Sequence, residues 1–97
     1  MDSTKYTKYL VTLGYPGRID TFRAIMEMRY ADLTAILIRL RRNSDALSAD
    51  AQMIRRHLRD LQGIGFVEIF KSGKGNEYAP RAEGIKEFLT LMHEMCS

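Results

Sequence analysis

The sequence has few of the residues that mark secreted, disulfide-bonded or membrane-spanning proteins. Its 97 residues include one cysteine, two prolines and no tryptophan. Cys96 has no second cysteine with which to form an internal disulfide, so a reducing cytoplasm suits the chain best. No apolar run approaches the roughly 20 residues that cross a bilayer, and the polar N-terminal segment lacks the apolar stretch of a secretory signal. We therefore expect a cytoplasmic protein with no membrane partner.

Groups that could support catalysis are equally scarce. The chain has two histidines and one cysteine, and it contains neither a G-x-S-x-G motif nor a phosphate-binding loop. His93 and Cys96 lie three residues apart, but two ligands do not make a metal site, and we interpret them as a partly exposed histidine and a terminal thiol. His57 is interpreted as a hydrogen-bonding residue at the edge of a helix face. The sequence predicts no enzyme, no cofactor and no metal.

Apolar periodicity predicts a mostly helical chain with one β-hairpin. It indicates five helices, over residues 4–13, 19–28, 31–41, 48 or 50 to 62, and 82–95. Either Ser48 or Asp50 could cap the fourth helix, and Gly63 ends it. Residues 66–71 are β-branched and aromatic, and after a glycine-rich turn residues 77–79 can return antiparallel. The predicted fold class is α+β, mostly α with a small β-hairpin.

Three stretches between residues 54 and 84 carry a family resemblance. Residues 54–61, I-R-R-H-L-R-D-L, resemble the V-S-R-H-L-x-x-L end of the recognition helix in ArsR/MarR-like prokaryotic (archaeal, bacterial or viral) transcriptional regulators. Residues 62–67 resemble the L-x-x-x-G-L-V exit into the wing of that family, and residues 78–84 keep the spacing of its Y-x-L-T-x-x-G motif. Pro80 and Arg81 replace the usual Leu-Thr, and Leu47 lies seven residues before Ile54, about two more than is usual in the family.

The resemblance implies a winged helix-turn-helix with extra N-terminal and C-terminal helices. It predicts one domain over residues 1–97, with an N-terminal helix and turn at about 4–17. The helix-turn-helix and wing follow over residues 19–79, and a C-terminal dimerisation helix over 82–96. Such a domain binds double-stranded DNA through the recognition helix in the major groove and the wing on the backbone.

The recognition helix places basic and amide side chains opposite its apolar stripe. Gln52 can pair with adenine and Arg56 with guanine, while flanking arginines can neutralise phosphates. The predicted DNA-binding residues are Ala49, Gln52, Met53, Arg55, Arg56 and Arg59 in the helix, with Lys71, Ser72, Lys74 and Asn76 in the wing. The alternatives are a solvated helix face with an Arg56–Asp60 ion pair and a plain glycine-rich hairpin turn.

The distribution of charge favours the DNA interpretation. The net charge of +3 is too mild to indicate a nucleic-acid partner by itself. Residues 1–38 carry +1, residues 39–81 carry +4 and residues 82–97 carry −2. The excess therefore falls on the predicted helix-turn-helix and wing, whereas the last helix is acidic.

The outer helices carry apolar stripes that predict a twofold homodimer. The stripe residues are Tyr6, Tyr9, Leu10, Leu13, Ile85, Phe88, Leu89, Met92 and Met95. The alternative is that both helices pack on their own domain. The leading hypothesis is a homodimeric, repressor-type, nucleoid-associated regulator with no assigned effector. A winged helix used as a protein-interaction module, suggested by the mild charge and by Asp60 on the DNA face, is the rival.

Overall fold

The computed structural model describes residues 3–43, 50–73 and 75–96. Within these ranges the chain forms five helices and three strands. In chain order the elements are α1 Ser3–Leu13, α2 Arg18–Met28, β1 Ala31–Asp32, α3 Leu33–Asn43, α4 Ala51–Gly63, β2 Val67–Ser72, β3 Gly75–Pro80 and α5 Ala82–Cys96. The strands pair antiparallel in the order β1-β3-β2. The predicted class, mostly α with a small antiparallel sheet, is confirmed.

The sheet has three strands, one more than the predicted hairpin. Ala31 and Asp32, expected to begin the third helix, instead pair with Tyr78 and Glu77 of β3. Asp32 then caps α3, because its Oδ1 accepts a hydrogen bond of 2.8 Å from the backbone N–H of Ala35. A two-residue strand is too short to show the alternation by which strands are recognised in a sequence.

Helix α4 begins where one of the two proposed caps predicts. Asp50 lies in the extended region, and its Oδ1 accepts a 2.8 Å hydrogen bond from the N–H of Met53. The other candidate cap, Ser48, lies outside the described residues. The aligned cap fixes the first turn of α4, which is the turn that carries Gln52 and Met53.

The core lies between α2, α3, α4 and the sheet. Ile25, Ile36, Leu58, Leu61 and Phe66 are each at most 1% exposed. They come from three helices and, with Phe66, from the residue just before β2, and they share one cluster. Burial of their side chains therefore holds the helices to the base of the sheet. This cluster fixes the buried face of α4 and thereby decides which of its residues face outward.

Helices α1 and α5 pack partly on this same core, which is the alternative that the sequence left open. Tyr9 is 3% exposed and stacks on Phe66 at 5.5 Å between ring centroids. Phe88 meets Tyr9 edge-on at 5.2 Å, and Tyr6 stacks on Phe88 at 6.2 Å. Aromatic side chains bury large areas in such contacts. Tyr9 is thus a core residue of its own chain, and it has almost no surface to offer a second subunit.

Two glycines set the path from α4 through the wing to α5. Gly84, on α5, is buried against the backbone of Gly65, and a Cβ on Gly84 would lie 1.7 Å from the Gly65 carbonyl oxygen. The N–H of Arg81 donates a 2.9 Å hydrogen bond to the carbonyl of Phe66 beside this crossing. The close approach brings the base of the wing, the end of α4 and the start of α5 together.

Candidate nucleic-acid interface

The outward face of α4 is cationic. Arg55, Arg56 and Arg59 are exposed, and none of the three forms an ion pair with any residue that the structure describes. Gln52 and Met53 are exposed on the same helix, one turn before Arg56. Ala49 lies outside the described residues. The predicted stripe is found on the opposite side, with Ile54, Leu58 and Leu61 buried.

This face forms one wall of an open groove of about 500 Å³. Its lining residues are Tyr15, Gln52, Met53, Arg55, Arg56, His57 and Arg59. Guanidinium groups are suited to oxyanions because their N–H groups form a planar fork that matches carboxylate and phosphate oxygens. The groove therefore combines amide and guanidinium donors with the aromatic ring of Tyr15, which sequence inspection did not assign to the site.

The wing contributes a second, smaller polar surface. Lys71 and Asn76 pair across the hairpin and are both exposed, and Ser72 pairs with Gly75 in the last described rung. Gly75 has φ +120°, a conformation that glycine adopts readily. Lys74 lies outside the described residues. Of the predicted wing residues, the structure places Lys71 and Asn76 side by side near the turn.

The solvated-helix alternative supposed an ion pair between Asp60 and Arg56, but Asp60 pairs with Arg18 instead. Its Oδ2 accepts a hydrogen bond from Nη2 of Arg18, and the Arg18 side chain is only 6% exposed. Arg18 is the first residue of α2, one position earlier than the predicted start of that helix. Arginine is rarely buried unless it is paired, and nothing in the local pattern separates Arg18 from an ordinary surface arginine. Its role could not be found without the three-dimensional contact.

His57 is buried, not at the helix edge where the sequence placed it. The residue is 2% exposed, and its Nδ1 accepts a 3.3 Å hydrogen bond from Nε of Arg18. Burial of the ring, together with the positive charge of Arg18, lowers the pKa of His57 below its usual value of 6.5. The neutral ring then carries its proton on Nε2, which has no hydrogen-bond partner among the described residues.

Gly17 explains how this ring fits against the start of α2. The residue has φ +81°, and a Cβ at this position would lie 3.3 Å from Nε2 of His57. Glycine both permits the left-handed conformation and leaves room for the ring. The turn between α1 and α2 therefore also packs against the buried side of α4, where it makes room for the His57 ring.

The outer helices expose apolar side chains that do not line the groove at α4. Leu10 and Val11 of α1 are exposed, as are Leu89, Met92 and Met95 of α5. Leu13, Ile85 and Phe88, also in the predicted dimerisation stripe, are half-buried against the core. Only part of that stripe is therefore open to a partner.

No metal site is formed by the part of the chain that the structure describes. Within it, no three histidine, cysteine, aspartate or glutamate side chains are grouped so that they could hold a metal ion. His93 and Cys96 are both exposed near the end of α5. Among the described helices none is both long enough and apolar enough to span a bilayer.

Comparison with known proteins supports the fold through structure and not through sequence. No protein-family model and no curated sequence matches the chain. Among solved structures, an ArsR-like transcriptional regulator from Rhodococcus sp. RHA1 is similar, with a TM-score of 0.75 and 17% sequence identity. The match covers 96% of this chain and 80% of the other. The chain has the winged-helix fold of an ArsR-like regulator, with a helix on either side of the helix-turn-helix and wing.

Proposed function

We propose that this protein binds double-stranded DNA as a homodimeric transcriptional regulator of repressor type. The observation that carries the proposal is the row of exposed arginines on α4, Arg55, Arg56 and Arg59, none paired within the described residues. An α-helix fits the major groove of DNA, and arginines on its outward face can contact both base edges and phosphates. The ArsR-like regulator of the same fold supports this function.

In the proposed complex the residues of α4 have different tasks. Gln52 and Arg56 face base edges, because both can form two hydrogen bonds to a single purine. Arg55 and Arg59 neutralise phosphates, which gives affinity without sequence preference. Lys71 and Asn76 of the wing contact the adjacent backbone, as does Lys74, whose position is a prediction from the sequence alone.

Dimerisation through α1 and α5 completes the proposal. The exposed apolar side chains Leu10, Val11, Leu89, Met92 and Met95 would be buried between two copies. A twofold axis places two recognition helices about 34 Å apart, one turn of DNA, so that a pseudo-palindromic site is bound by both. A bound dimer would then occlude a promoter. The same surface could meet a different protein, which is the rival function.

The test is a binding titration of the full chain against DNA selected from a random pool, at several salt concentrations. Arg56→Ala is compared with Lys86→Ala, which also removes one positive charge but lies on α5. We expect Arg56→Ala to weaken binding to the selected site by about 1–3 kcal/mol and to relax the preference at one base pair. Lys86→Ala should bind as the unaltered protein does.

Two outcomes would contradict the proposal. Binding by the unaltered protein should fall steeply with salt, with a log–log slope of roughly −0.9 for each phosphate neutralised. A protein that shows no salt-dependent DNA binding, and co-purifies in a stable complex with another protein, is the interaction module of the rival hypothesis. If Arg56→Ala and Lys86→Ala bind equally well, α4 does not contact the DNA as proposed.

A further inference from the structure

A buried guanidinium lies directly beneath the cationic face of α4. The Arg18 side chain is 6% exposed, and its donors reach three groups. Nη1 donates to the carbonyl of Thr12 at 3.0 Å, Nε to Nδ1 of His57 at 3.3 Å, and Nη2 to the carboxylate of Asp60. The guanidinium carbon also lies 4.6 Å from the centroid of the Tyr15 ring, a distance at which a cation is attracted to an aromatic face.

These contacts join three parts of the fold at one side chain. Thr12 is at the end of α1, Arg18 begins α2, and His57 and Asp60 lie on the middle of α4. A buried charge is tolerated only when it is paired and its hydrogen bonds are satisfied. Arg18 meets that requirement through contacts that hold the start of α2 against the end of α1 and the middle of α4.

Asp60 is the acidic residue that could oppose DNA binding. It follows Arg59 directly and lies one helical turn after Arg56, and its side chain remains 43% exposed. An unpaired carboxylate here would repel phosphates and would compete for the neighbouring guanidinium groups. The contact with Arg18 instead neutralises the carboxylate and holds one of its oxygens inward.

We propose that Arg18 is a positioning residue for nucleic-acid binding, which neutralises Asp60 and holds one of its carboxylate oxygens inward, so that the arginines on the outward face of α4 meet the phosphates unopposed. Arg18 itself touches no DNA in this proposal. The inference rests on the proposed function, since it explains how the DNA-binding face of α4 is kept free of negative charge.

The experiment compares DNA binding by the full-length unaltered chain with that of Arg18→Met, Asp60→Asn and the double variant. Methionine retains an unbranched apolar side chain and removes all the donors. Arg18→Met should bind the selected duplex on the order of tenfold more weakly at low salt, a change in binding free energy of about 1.4 kcal/mol. The slope of log affinity against log salt concentration should be shallower by about 0.9, the value for one neutralised phosphate, because the freed carboxylate opposes counterion release.

The double variant separates positioning of charge from loss of packing. If Arg18 acts by neutralising Asp60, Asp60→Asn restores most of the affinity and the salt slope that Arg18→Met loses. Combining Arg18→Met with Glu83→Gln is the matched control, since it removes one negative charge from the exposed start of α5, where the Glu83 side chain is 89% exposed. That pair should bind as weakly as Arg18→Met alone.

Three results would overturn the inference, and they are distinct from failure of the proposed function. A double variant as weak as Arg18→Met means that Arg18 serves packing alone, while rescue by Glu83→Gln means that only net charge matters. Should Arg18→Met fail to fold by circular dichroism, Asp60→Asn alone decides, because the inference requires it to bind at least as tightly as the unaltered protein. An unaltered protein without salt-dependent DNA binding rejects the proposed function, and the inference with it.

Discussion

Replacing Gly84 with alanine should destabilise the protein although the residue lies within a helix. Alanine normally stabilises a helix interior by about 1 kcal/mol relative to glycine, so propensity alone predicts a more stable protein. The structure predicts the opposite sign. A Cβ on Gly84 would lie 1.7 Å from the carbonyl oxygen of Gly65 and 2.6 Å from its carbonyl carbon, and both atoms belong to backbone that cannot rotate away.

The size of the effect follows from how far the two segments must separate. Real Cβ atoms essentially never come within 3.0 Å of such a neighbour, so α5 and the start of the wing must move apart by more than 1 Å. Overpacking of a close-packed site typically costs about 1–3 kcal/mol. The shift also strains the 2.9 Å hydrogen bond from Arg81 to Phe66, worth about 1 kcal/mol. Together these terms exceed the propensity gain, and we expect a net loss of about 1–3 kcal/mol.

The assay is equilibrium urea unfolding followed by circular dichroism, with Gly63→Ala as the control. Gly63 ends α4, and a Cβ there would meet nothing within 4 Å, so its substitution should change the free energy of unfolding by less than about 1 kcal/mol. If Gly84→Ala unfolds at the same urea midpoint as Gly63→Ala, the two backbones do not approach as closely as the structure has them. The link between α4, wing and α5 would then need another explanation.

Two further predictions concern His57 and the outer surface. The lowered pKa of His57 means that below pH 6.5 the unfolded chain binds a proton which the folded chain excludes, so the free energy of unfolding should fall from pH 7 to 5.5, by at most about 1.4 kcal/mol per pH unit. His57→Gln should flatten this profile in urea titrations, and an equally steep profile would contradict the assignment. Leu89→Lys, at a side chain 56% exposed on α5, should yield monomers in sedimentation. The control Ile38→Lys, at a side chain 52% exposed on α3, should remain dimeric. If both variants are dimers, α5 does not form the interface.

The helices and the hairpin could be predicted because each carries its own local signal. The stripe of Ile54, Leu58 and Leu61 fixes the buried side of α4 from spacing alone, and Asp50 is a local cap. Gly84 fitted a family spacing, but the sequence did not say why glycine is needed there. The reason is a contact with Gly65, nineteen residues earlier, which no local pattern records.

The interior of the candidate site could not be predicted, because long-range pairing overrides the helical wheel there. The wheel put Asp60 on the outward face and His57 on its flank. Arg18, more than thirty residues earlier in the chain, reaches both and joins them in one hydrogen-bonded network. Tyr9 of the predicted dimer stripe lies in the core of its own chain, and spacing could not show this, since an aromatic residue at helical spacing on α1 fits an internal core and a subunit interface equally well.

The ion pairs change what the small net charge means. Among the described residues, Lys5 pairs with Glu87 and Arg39 with Glu27, so these two pairs contribute no net charge on the outer helices or between α2 and α3. Arg18 and Asp60 form a third such pair beneath α4. The arginines that face outward from α4 have no such partner in the described chain, so no ion pair offsets their charge. The rival hypothesis of a protein-interaction module relied on the mild overall charge and on Asp60. The mild overall charge is a sum that includes these paired residues, and the Asp60 carboxylate is held by Arg18. Both observations are therefore compatible with a polyanion as the partner of α4.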